Sequence, residues 1–482
     1  MKASNCVING SVQFGVLSHD QIRLLFGATL DVLEHTGVEI FHAEALRLLG
    51  DAGCWVHGNR ARIPSWLVER CIRQAPSRVV LEDRAGRSRL LLEGYNSYFG
   101  PGPTNPYIVD SFTGSRRKTI KEDVGQVACL CEVLPNIDFV MSLGLVSDCT
   151  PVLADVHEVH AMLERTTKPF VTWAYNTRNL ETIVQMCERV AGSPEQLQRD
   201  PFVAFYFEPS TPLRHSEEAV AKLLFVARKG LPVIYTPGVQ AGATAPATMA
   251  GALVVAAADN LIGLVLSQLV REGTPFIAGG VVTNMDMSTT IHCYGSPEFS
   301  LLHAAFADLL HFLGLPIWST AGCSDAKVLD EQAAVEATLS IYTAALSGAN
   351  LIHDVGFLES GMSGSLEQIM LCNEVIGMVR RVIAGIEVNE ETLAVDVIHR
   401  VGPGGHFLAE EHTFRHFKKE TWFPDLISRE RYHQWEAGGK LTLRERLNRA
   451  VREVLAQERP PLVSGEVAAE LQGLVEEAER RV

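Results

Sequence analysis

From residue 95 onward, short apolar runs alternate with longer helical segments, and this alternation limits the possible folds more than any other feature. Eight runs, each followed by a helical segment, lie at residues 97–100, 139–145, 170–174, 202–207, 232–236, 275–280, 316–320 and 350–355. Parallel strands need such crossover helices, and eight βα units can close into a barrel. We therefore predict an α/β chain with a (β/α)8 TIM barrel, in which 107–113 and 116–118 form an insertion after the first strand.

An open, doubly wound sheet is the competing architecture for the same alternation. Sheets of that kind often bind nucleotides through a glycine-rich loop such as G-x-G-x-x-G or the P-loop pattern. Neither pattern occurs in the sequence, so no motif supports this alternative.

The regions on either side of the barrel have a different pattern. Residues 1–94 combine helical segments with two short strands, which predicts a small N-terminal α+β domain in front of a catalytic barrel at 95–385. After residue 385 the alternation stops. Residues 386–482 are predicted to form a loop and helical extension that acts as a cap or an oligomer arm.

Composition and charge narrow the range of functions. The chain has 42 Lys and Arg against 57 Asp and Glu, a formal net charge of −15, so we expect no nucleic-acid surface. The longest apolar stretch, 251–270, contains Asp259 and Asn260, which favours a buried helix and no membrane span. The first twelve residues lack a signal-peptide pattern, and the ten cysteines follow no disulfide spacing, so a cytoplasmic protein with reduced thiols is expected.

Aromatic residues occur at most of the predicted strand ends, where the active site of such a barrel lies. Aromatic faces bind quaternary ammonium groups without hydrogen bonds. The candidates for such a cation box are Phe99, Trp173, Tyr206, Tyr235, Trp318 and Phe357. The same rings could instead form the top layer of the barrel core, and some must face away because side chains alternate along a strand.

His353 and Glu208 are the candidate catalytic residues. His353 directly follows an apolar strand, where a histidine could hold a carboxylate, act as acid or base, or simply bond a nearby carbonyl. Glu208 and Asp325 also follow strands, where they could balance a cationic substrate or pair with arginines or amides. We count Asp325 among the candidates for substrate binding.

No metal site is predicted, because no cluster of histidines and cysteines has complete ligand spacing. His157 and His160 are three residues apart, and His412 and His416 are four apart, but no thiol or carboxylate pattern completes either pair. The nucleophile-elbow pattern G-x-S-x-G is absent from any strand–turn–helix context, so hydrolase chemistry has no support.

Several short motifs, taken in their order and spacing, resemble the trimethylamine methyltransferase family. They lie at residues 33–40, 62–64, 208–210, 319–325, 350–359 and 402–407. The resemblance extends over nearly the whole chain and implies a barrel enzyme that removes a methyl group from trimethylamine, glycine betaine or a related amine. It also implies that the methyl acceptor is a corrinoid (cobalamin) on a separate carrier protein.

The trimethylamine-specific branch of that family carries pyrrolysine in its active site, whereas this chain contains only the twenty standard residues. The resemblance therefore implies the pyrrolysine-lacking branch. Its members move a methyl from glycine betaine, or a betaine- or carnitine-like amine, to the Co(I) of a corrinoid protein. A homo-oligomer is also expected. Two alternatives stay open: a barrel that binds or senses quaternary amines without catalysis, and a different barrel enzyme that uses His353 as a base.

Overall fold

The computed structural model describes residues 12–457 and 459–482. The prediction that the first twelve residues are not a signal peptide therefore concerns a segment that lies almost entirely outside the described residues. The N-terminal region contains α1 (His19–Asp31), β1 (Val38–Ile40), α2 (Ala43–Asp51), β2 (Trp55–His57), β3 (Arg60–Arg62), α3 (Ser65–Gln74), β4 (Val79–Glu82) and β5 (Arg89–Leu92). Ser18 caps α1, because its hydroxyl accepts from the Gln21 amide while the Gln21 side chain accepts from the Ser18 amide.

The barrel region follows with alternating strands and helices. Its first half contains β6 (Tyr98–Pro101), β7 (Tyr107–Val109), β8 (Arg116–Lys118), α4 (Lys121–Val133), α5 (Ala154–Arg165), β9 (Phe170–Thr172), α6 (Thr177–Ala191), α7 (Pro194–Arg199), β10 (Val203–Phe207), β11 (Arg214–His215) and α8 (Glu217–Lys229). Its second half contains β12 (Val233–Tyr235), β13 (Gly238–Ala241), α9 (Met249–Val270), β14 (Phe276–Gly279), β15 (Val281–Asn284), α10 (Pro297–Leu313), β16 (Ile317–Thr320), α11 (Glu331–Leu346), β17 (Leu351–Val355), β18 (Phe357–Leu358), β19 (Ser363–Ser365) and α12 (Leu366–Ile383).

Seven parallel strands form one curved sheet in the order β6-β17-β16-β14-β12-β10-β9. Residues 138–141 fill the gap between its two outer strands. The Asp138 amide donates to the Phe99 carbonyl (2.7 Å), and the Val171 amide donates to the Val140 carbonyl (3.0 Å). The barrel predicted from the sequence is therefore confirmed, with all eight strand positions filled.

The second strand is shorter than the sequence predicts. Only its first residues join the barrel, because Leu143 adopts a positive φ of 61° and turns the chain out of the sheet. The Leu143 amide then bonds the Gly102 carbonyl (2.8 Å), and the Leu145 amide bonds the Asn105 carbonyl (2.8 Å). The remainder of the predicted strand thus supports the loop after β6.

The barrel interior is closed from below by the hairpin of β4 and β5. One apolar cluster joins that hairpin to the inward-facing side chains of the barrel, including Val79, Leu81, Leu90, Leu92, Phe139, Val171, Ile234, Ile277 and Leu351. A second, larger cluster fills the layer between the strands and the surrounding helices. The N-terminal region is also joined to the barrel through backbone pairing, because β11 extends the small sheet of β1, β3 and β2.

The apolar helix α9 is a core element. By length and composition it is the one helix of the described residues that could cross a membrane, yet 72% of its most apolar window is buried inside the protein. It packs against α1, α2, α3 and α8. Its Asn260 side-chain amide donates to the carbonyls of Tyr235 (2.6 Å) and Gly279 (2.9 Å), so this polar residue at its centre joins the helix to two barrel strands.

Two small sheets stand above the carboxyl ends of the barrel strands. One has the order β18-β19-β7-β8, and the other pairs β13 with β15. The predicted insertion after the first strand, which supplies β7 and β8, thus forms part of the rim of the barrel.

The C-terminal region contains α13 (Glu390–Leu393), α14 (Val395–Val401), α15 (Glu411–Glu420), α16 (Tyr432–Ala437), α17 (Leu443–Leu455) and α18 (Gly465–Arg480). Helix α17 packs against α12 and α4, and α18 packs against α5 and α6. By contrast, α13 and α15 contain no buried residue.

Candidate active site

A cavity of about 430 Å³ opens at the carboxyl ends of the barrel strands. Its walls come from the ends of β9, β10 and β17, from α8, and from loops after β6 and β15. We call it the mouth cavity. A larger space of about 650 Å³ lies between the 110–114 loop and α17, away from the strand ends where barrel chemistry takes place.

Five of the nine site residues predicted from the sequence line the mouth cavity. They are Trp173, Tyr206, Glu208, His353 and Phe357. They come from three strand ends and a rim strand, so the fold brings together residues that are up to 184 positions apart in the chain (357 − 173).

Phe99 and Tyr235 do not line the mouth cavity, and their assignment to the cation box is corrected here. Side chains alternate along a strand, and the neighbouring Tyr98 and Ile234 face the barrel interior. Phe99 and Tyr235 therefore point outward into the layer beneath the helices. There the Tyr235 hydroxyl forms a 2.9 Å hydrogen bond with Nδ1 of the buried His215.

Trp318 faces the barrel interior but lies beneath the mouth cavity. Its ring centroid is 4.2 Å from that of His353 and 5.5 Å from that of Tyr206. Trp318 thus supports two residues of the cavity wall from below and is not itself part of that wall, which corrects its assignment as a substrate contact.

Asp325 also lies outside the cavity wall, where it joins two loops. Its carboxylate accepts hydrogen bonds from the amides of Tyr294 and Gly295 and from the Ser360 hydroxyl, each at 2.8 Å. These loops carry Tyr294 and Phe357 to the mouth cavity. Asp325 therefore positions wall residues and does not contact the space where a substrate would bind.

Six aromatic residues line the cavity: Trp173, Tyr175, Tyr206, Phe207, Tyr294 and Phe357. The Trp173 indole N–H donates to Glu158 at 2.9 Å, which fixes the orientation of its ring. Burial raises the pKa of Glu158 to about 8. The ring centroids of Tyr294 and Phe357 are 6.4 Å apart in an edge-to-face arrangement. The cavity thus presents several fixed aromatic surfaces.

Glu208 stands at the end of β10 with its side chain open to the cavity and surrounded by protein. The Tyr206 hydroxyl donates a hydrogen bond to its carboxylate. Burial raises the pKa of Glu208, and the Tyr206 hydrogen bond and the charge of Lys222 counteract that shift in part. The carboxylate is therefore available to a cation in the cavity.

Of the environments that the sequence left open for His353, the structure has the hydrogen bond to a nearby carbonyl. Its Nδ1 lies 2.9 Å from the Ser319 carbonyl, so Nδ1 carries the proton and donates to the backbone. Burial lowers the pKa of His353 to about 3, which keeps the ring neutral. Nε2 is then an acceptor, 3.3 Å from Oδ1 of Asp354. A neutral ring with this tautomer has no N–H left to donate to a substrate carboxylate.

Asp354 is the second carboxyl group of the cavity wall, and it is buried. Its backbone has a positive φ of 71°, and the Gly102 backbone passes so close that a Cβ there would overlap its Oδ1. Burial raises the pKa of Asp354 well above its usual range, and a hydrogen bond from Tyr294 acts in the opposite direction. The tight packing holds this carboxyl group in one position.

Sequence reasoning missed Asp354, Lys222 and Tyr294 as cavity residues. Asp354 had a local signal, because it stands beside His353 at a strand end. Lys222 lies within a helix, and Tyr294 lies ten residues beyond the end of β15, so only the folded chain brings them to the mouth.

The cavity suits a cation that forms no hydrogen bonds. Aromatic faces and carboxylates attract a quaternary ammonium group, and neither needs a hydrogen bond from it. Within residues 12–457 and 459–482, no group of three or more His, Cys, Asp or Glu side chains could hold a metal ion.

Comparisons with known proteins assign this chain to a protein family. The family model for trimethylamine methyltransferase matches residues 1–482. Trimethylamine methyltransferase MttB of Desulfitobacterium hafniense is 33% identical over 464 residues, which cover 96% of this chain and 93% of that protein. Glycine betaine methyltransferase of the same species is 31% identical over 474 residues, which cover 98% of each chain.

A second trimethylamine methyltransferase, MttB2 of Methanosarcina mazei, is 32% identical and covers 98% of this chain and 97% of its own. Among solved structures, the monomethylamine methyltransferase MtmB of Methanosarcina barkeri superposes with a TM-score of 0.56 at 12% identity, covering 97% of this chain and 88% of that one. That likeness concerns the fold. The family match over the whole length and the identity above 30% together establish that this chain is a methyltransferase belonging to the trimethylamine methyltransferase family.

Proposed function

We propose that this protein transfers a methyl group from a quaternary amine, glycine betaine or a related betaine- or carnitine-like compound, to the Co(I) of a corrinoid held by a separate carrier protein. The observation that carries the proposal is the mouth cavity itself, which combines aromatic walls with two carboxyl groups. Both features favour a cation, and neither requires the cation to donate a hydrogen bond.

The chemistry fits a quaternary substrate better than a tertiary one. Loss of a methyl from a quaternary ammonium releases a neutral tertiary amine, so no proton donor is required for the leaving group. A neutral tertiary amine would first need activation. The protein's task is then to hold one methyl in line with the attacking atom and to exclude water, which favours a reaction that reduces charge separation.

The methyl acceptor has access from outside. Thr104 and Tyr175 belong to the cavity wall and are exposed to solvent, so the cavity opens at the carboxyl face of the barrel. A corrinoid brought by a carrier protein would supply the nucleophilic metal at this opening. We propose no resident metal, no nucleic-acid partner and a cytoplasmic location.

The rival roles for the pocket are weaker. A base at His353 has little support, because burial lowers the pKa of His353 to about 3 and its Nδ1 proton is bound to a backbone carbonyl. A barrel that only binds or senses quaternary amines would share the same cavity, and catalysis distinguishes the two roles.

The direct test mixes the purified protein with free cob(I)alamin and single amines, and follows the loss of the cobalt(I) absorbance. We expect methyl transfer from glycine betaine, carnitine, γ-butyrobetaine or proline betaine, and little from trimethylamine. Tight binding of these compounds without any methyl transfer, to free cobalamin or to a corrinoid protein, would identify a binding or sensing barrel instead.

A homo-oligomer is also part of the proposal, and its support comes from residues 386–425, which we call the C-terminal arm. Large apolar side chains are exposed along the whole arm: Ile386, Val388, Leu393, Val395, Ile398, Phe407, Leu408, Phe414, Phe417 and Phe423. Soluble monomers rarely expose so many neighbouring apolar residues. A permanent partner such as a second copy would cover them, whereas a carrier that must leave after each turnover suits a more polar surface.

Charges placed on the arm should weaken this assembly. Leu408 and Phe414 are 87% and 77% exposed, so Leu408→Lys with Phe414→Lys disturbs no buried contact within one chain. We expect this double variant to shift the molar mass measured by light scattering toward the monomer. An exposed apolar residue outside the arm, Leu24, provides the matched control as Leu24→Lys. A wild-type protein that is monomeric at micromolar concentration would contradict the proposal.

A further inference from the structure

Lys222 is the one ammonium group among the described residues that line the mouth cavity. It lies on α8, and its side chain extends to the mouth, where Nζ donates to the Ala174 carbonyl just after β9. Nζ also lies 5.5 Å from the ring centroid of Phe207. These two contacts hold the Lys222 ammonium group at the cavity, while the apolar part of the side chain lies against protein.

The Lys222 ammonium keeps donor capacity that the protein does not use. An ammonium group carries three N–H bonds, and within the described part of the chain only the one to Ala174 has a protein acceptor. Burial lowers the pKa of Lys222, and the nearby carboxylates of Glu218, Asp155 and Glu208 oppose that shift, but none of the three forms an ion pair with Lys222 within 4.0 Å. Lys222 is therefore not simply the counter-ion of Glu208.

Of the two carboxyl groups of the cavity, Glu208 lies near Lys222, because it follows β10, the strand next to β9, whereas Asp354 lies farther from Lys222. Asp354 is on β17, whereas Lys222 contacts the end of β9, three strand positions away when counted through β6 and residues 138–141. The two histidines of the wall add no positive charge, because burial lowers the pKa of His353 to about 3 and that of His292 to about 4. A ligand whose cationic end lies toward Asp354 and whose anionic end lies toward Lys222 matches this arrangement.

We propose that Lys222 binds the anionic end of the substrate and thereby makes the enzyme specific for zwitterionic quaternary amines. The inference rests on the proposed function, since it concerns which quaternary amine enters the same cavity. The cationic end then lies among the aromatic rings on the Asp354 side of the cavity, and the anionic end lies against the two unused N–H bonds of Lys222. Gripping both ends fixes which methyl faces the acceptor.

The test compares matched pairs of compounds that differ in the anionic group: glycine betaine with choline, and γ-butyrobetaine with butyltrimethylammonium. In the pair whose members the wild-type enzyme demethylates, we expect a lower KM for the compound that carries the carboxylate. Lys222→Met keeps the length of the side chain and should raise the KM of that carboxylate roughly tenfold while leaving the KM of its uncharged partner nearly unchanged. Lys222→Arg should recover part of the loss.

Lys229→Met is the control variant. Lys229 lies on the same helix and pairs with Glu188 at 2.8 Å, away from the cavity, so we expect wild-type kinetics. Equal losses on both members of a pair in Lys222→Met would overturn the proposal and assign Lys222 a general structural role. Equal use of both members by wild type would overturn it too. Failure of wild type to transfer a methyl from any quaternary amine would instead overturn the proposed function.

Discussion

Replacing Glu208 or Asp354 by its amide is expected to raise the KM for a quaternary ammonium substrate roughly 10- to 100-fold at a pH above the raised pKa of the replaced group. Both carboxyl groups face the space where the cation would bind. Two unit charges about 4 Å apart interact by about 4 kcal/mol at an effective dielectric constant of about 20, and desolvation of the cation cancels part of that gain. Glu208→Gln and Asp354→Asn keep the size and the hydrogen-bonding ability of each side chain, so the lost charge dominates the effect.

The KM of the cationic substrate should also depend on pH, in a direction that follows from the two pKa values. Burial raises the pKa of Glu208 and of Asp354, so each group binds its proton more tightly than in water. Protonation removes the negative charge, and the KM of a permanent cation should therefore fall as the pH rises through these raised pKa values. An amide does not titrate, so each variant should lose part of this dependence. The cavity histidines do not contribute, because their pKa values near 3 and 4 keep them neutral.

Thermal unfolding separates this effect from misfolding. A carboxyl group whose pKa is raised in the folded state stabilises the fold below its unfolded pKa, and that contribution is lost as the pH rises through the folded pKa. At pH 7 the amides should therefore unfold at a midpoint equal to or above that of wild type. A lower midpoint together with lower activity would indicate damage to the fold and contradict the assigned role.

The barrel could be predicted from the sequence because each βα unit carries its own local signal. An apolar run and the helical segment after it lie close together in the chain, so each unit can be predicted without knowledge of the others. The second strand was the exception. Its early end depends on the turn at Leu143 and on bonds to the distant residues Gly102 and Asn105.

The candidate site could be predicted only in part, for two physical reasons. Strands of a barrel are apolar on both faces, so hydrophobicity alone does not distinguish Tyr98 from Phe99, or Ile234 from Tyr235, as the inward residue. The second reason is that a residue can reach the cavity from a distant helix, as Lys222 does. Its position in the middle of a helix is typical of a solvated surface residue, and only the reach of its side chain to Ala174 brings it to the cavity.

Gly102→Ala is expected to lower kcat/KM more than 100-fold while the protein still folds, because an error of about 1 Å in an active site can cost roughly 100-fold. A Cβ at residue 102 would overlap Oδ1 of Asp354 and lie 2.5 Å from Cζ of Phe357. Both side chains are buried, so neither can move into solvent to make room. The added methyl must displace a carboxyl group and an aromatic ring of the cavity wall together.

The cost to stability should be smaller than the cost to activity. Overpacking by one methyl typically destabilises a fold by about 1–3 kcal/mol, and urea unfolding measures this loss independently of kinetics. Gly50→Ala on α2 is the control, because a Cβ there meets no atom within 4 Å and alanine favours a helix, so both activity and stability should be kept. If Gly102→Ala retained wild-type kcat/KM, neither Asp354 nor Phe357 could be holding the substrate, and the cation would have to bind between Trp173 and Glu208 alone.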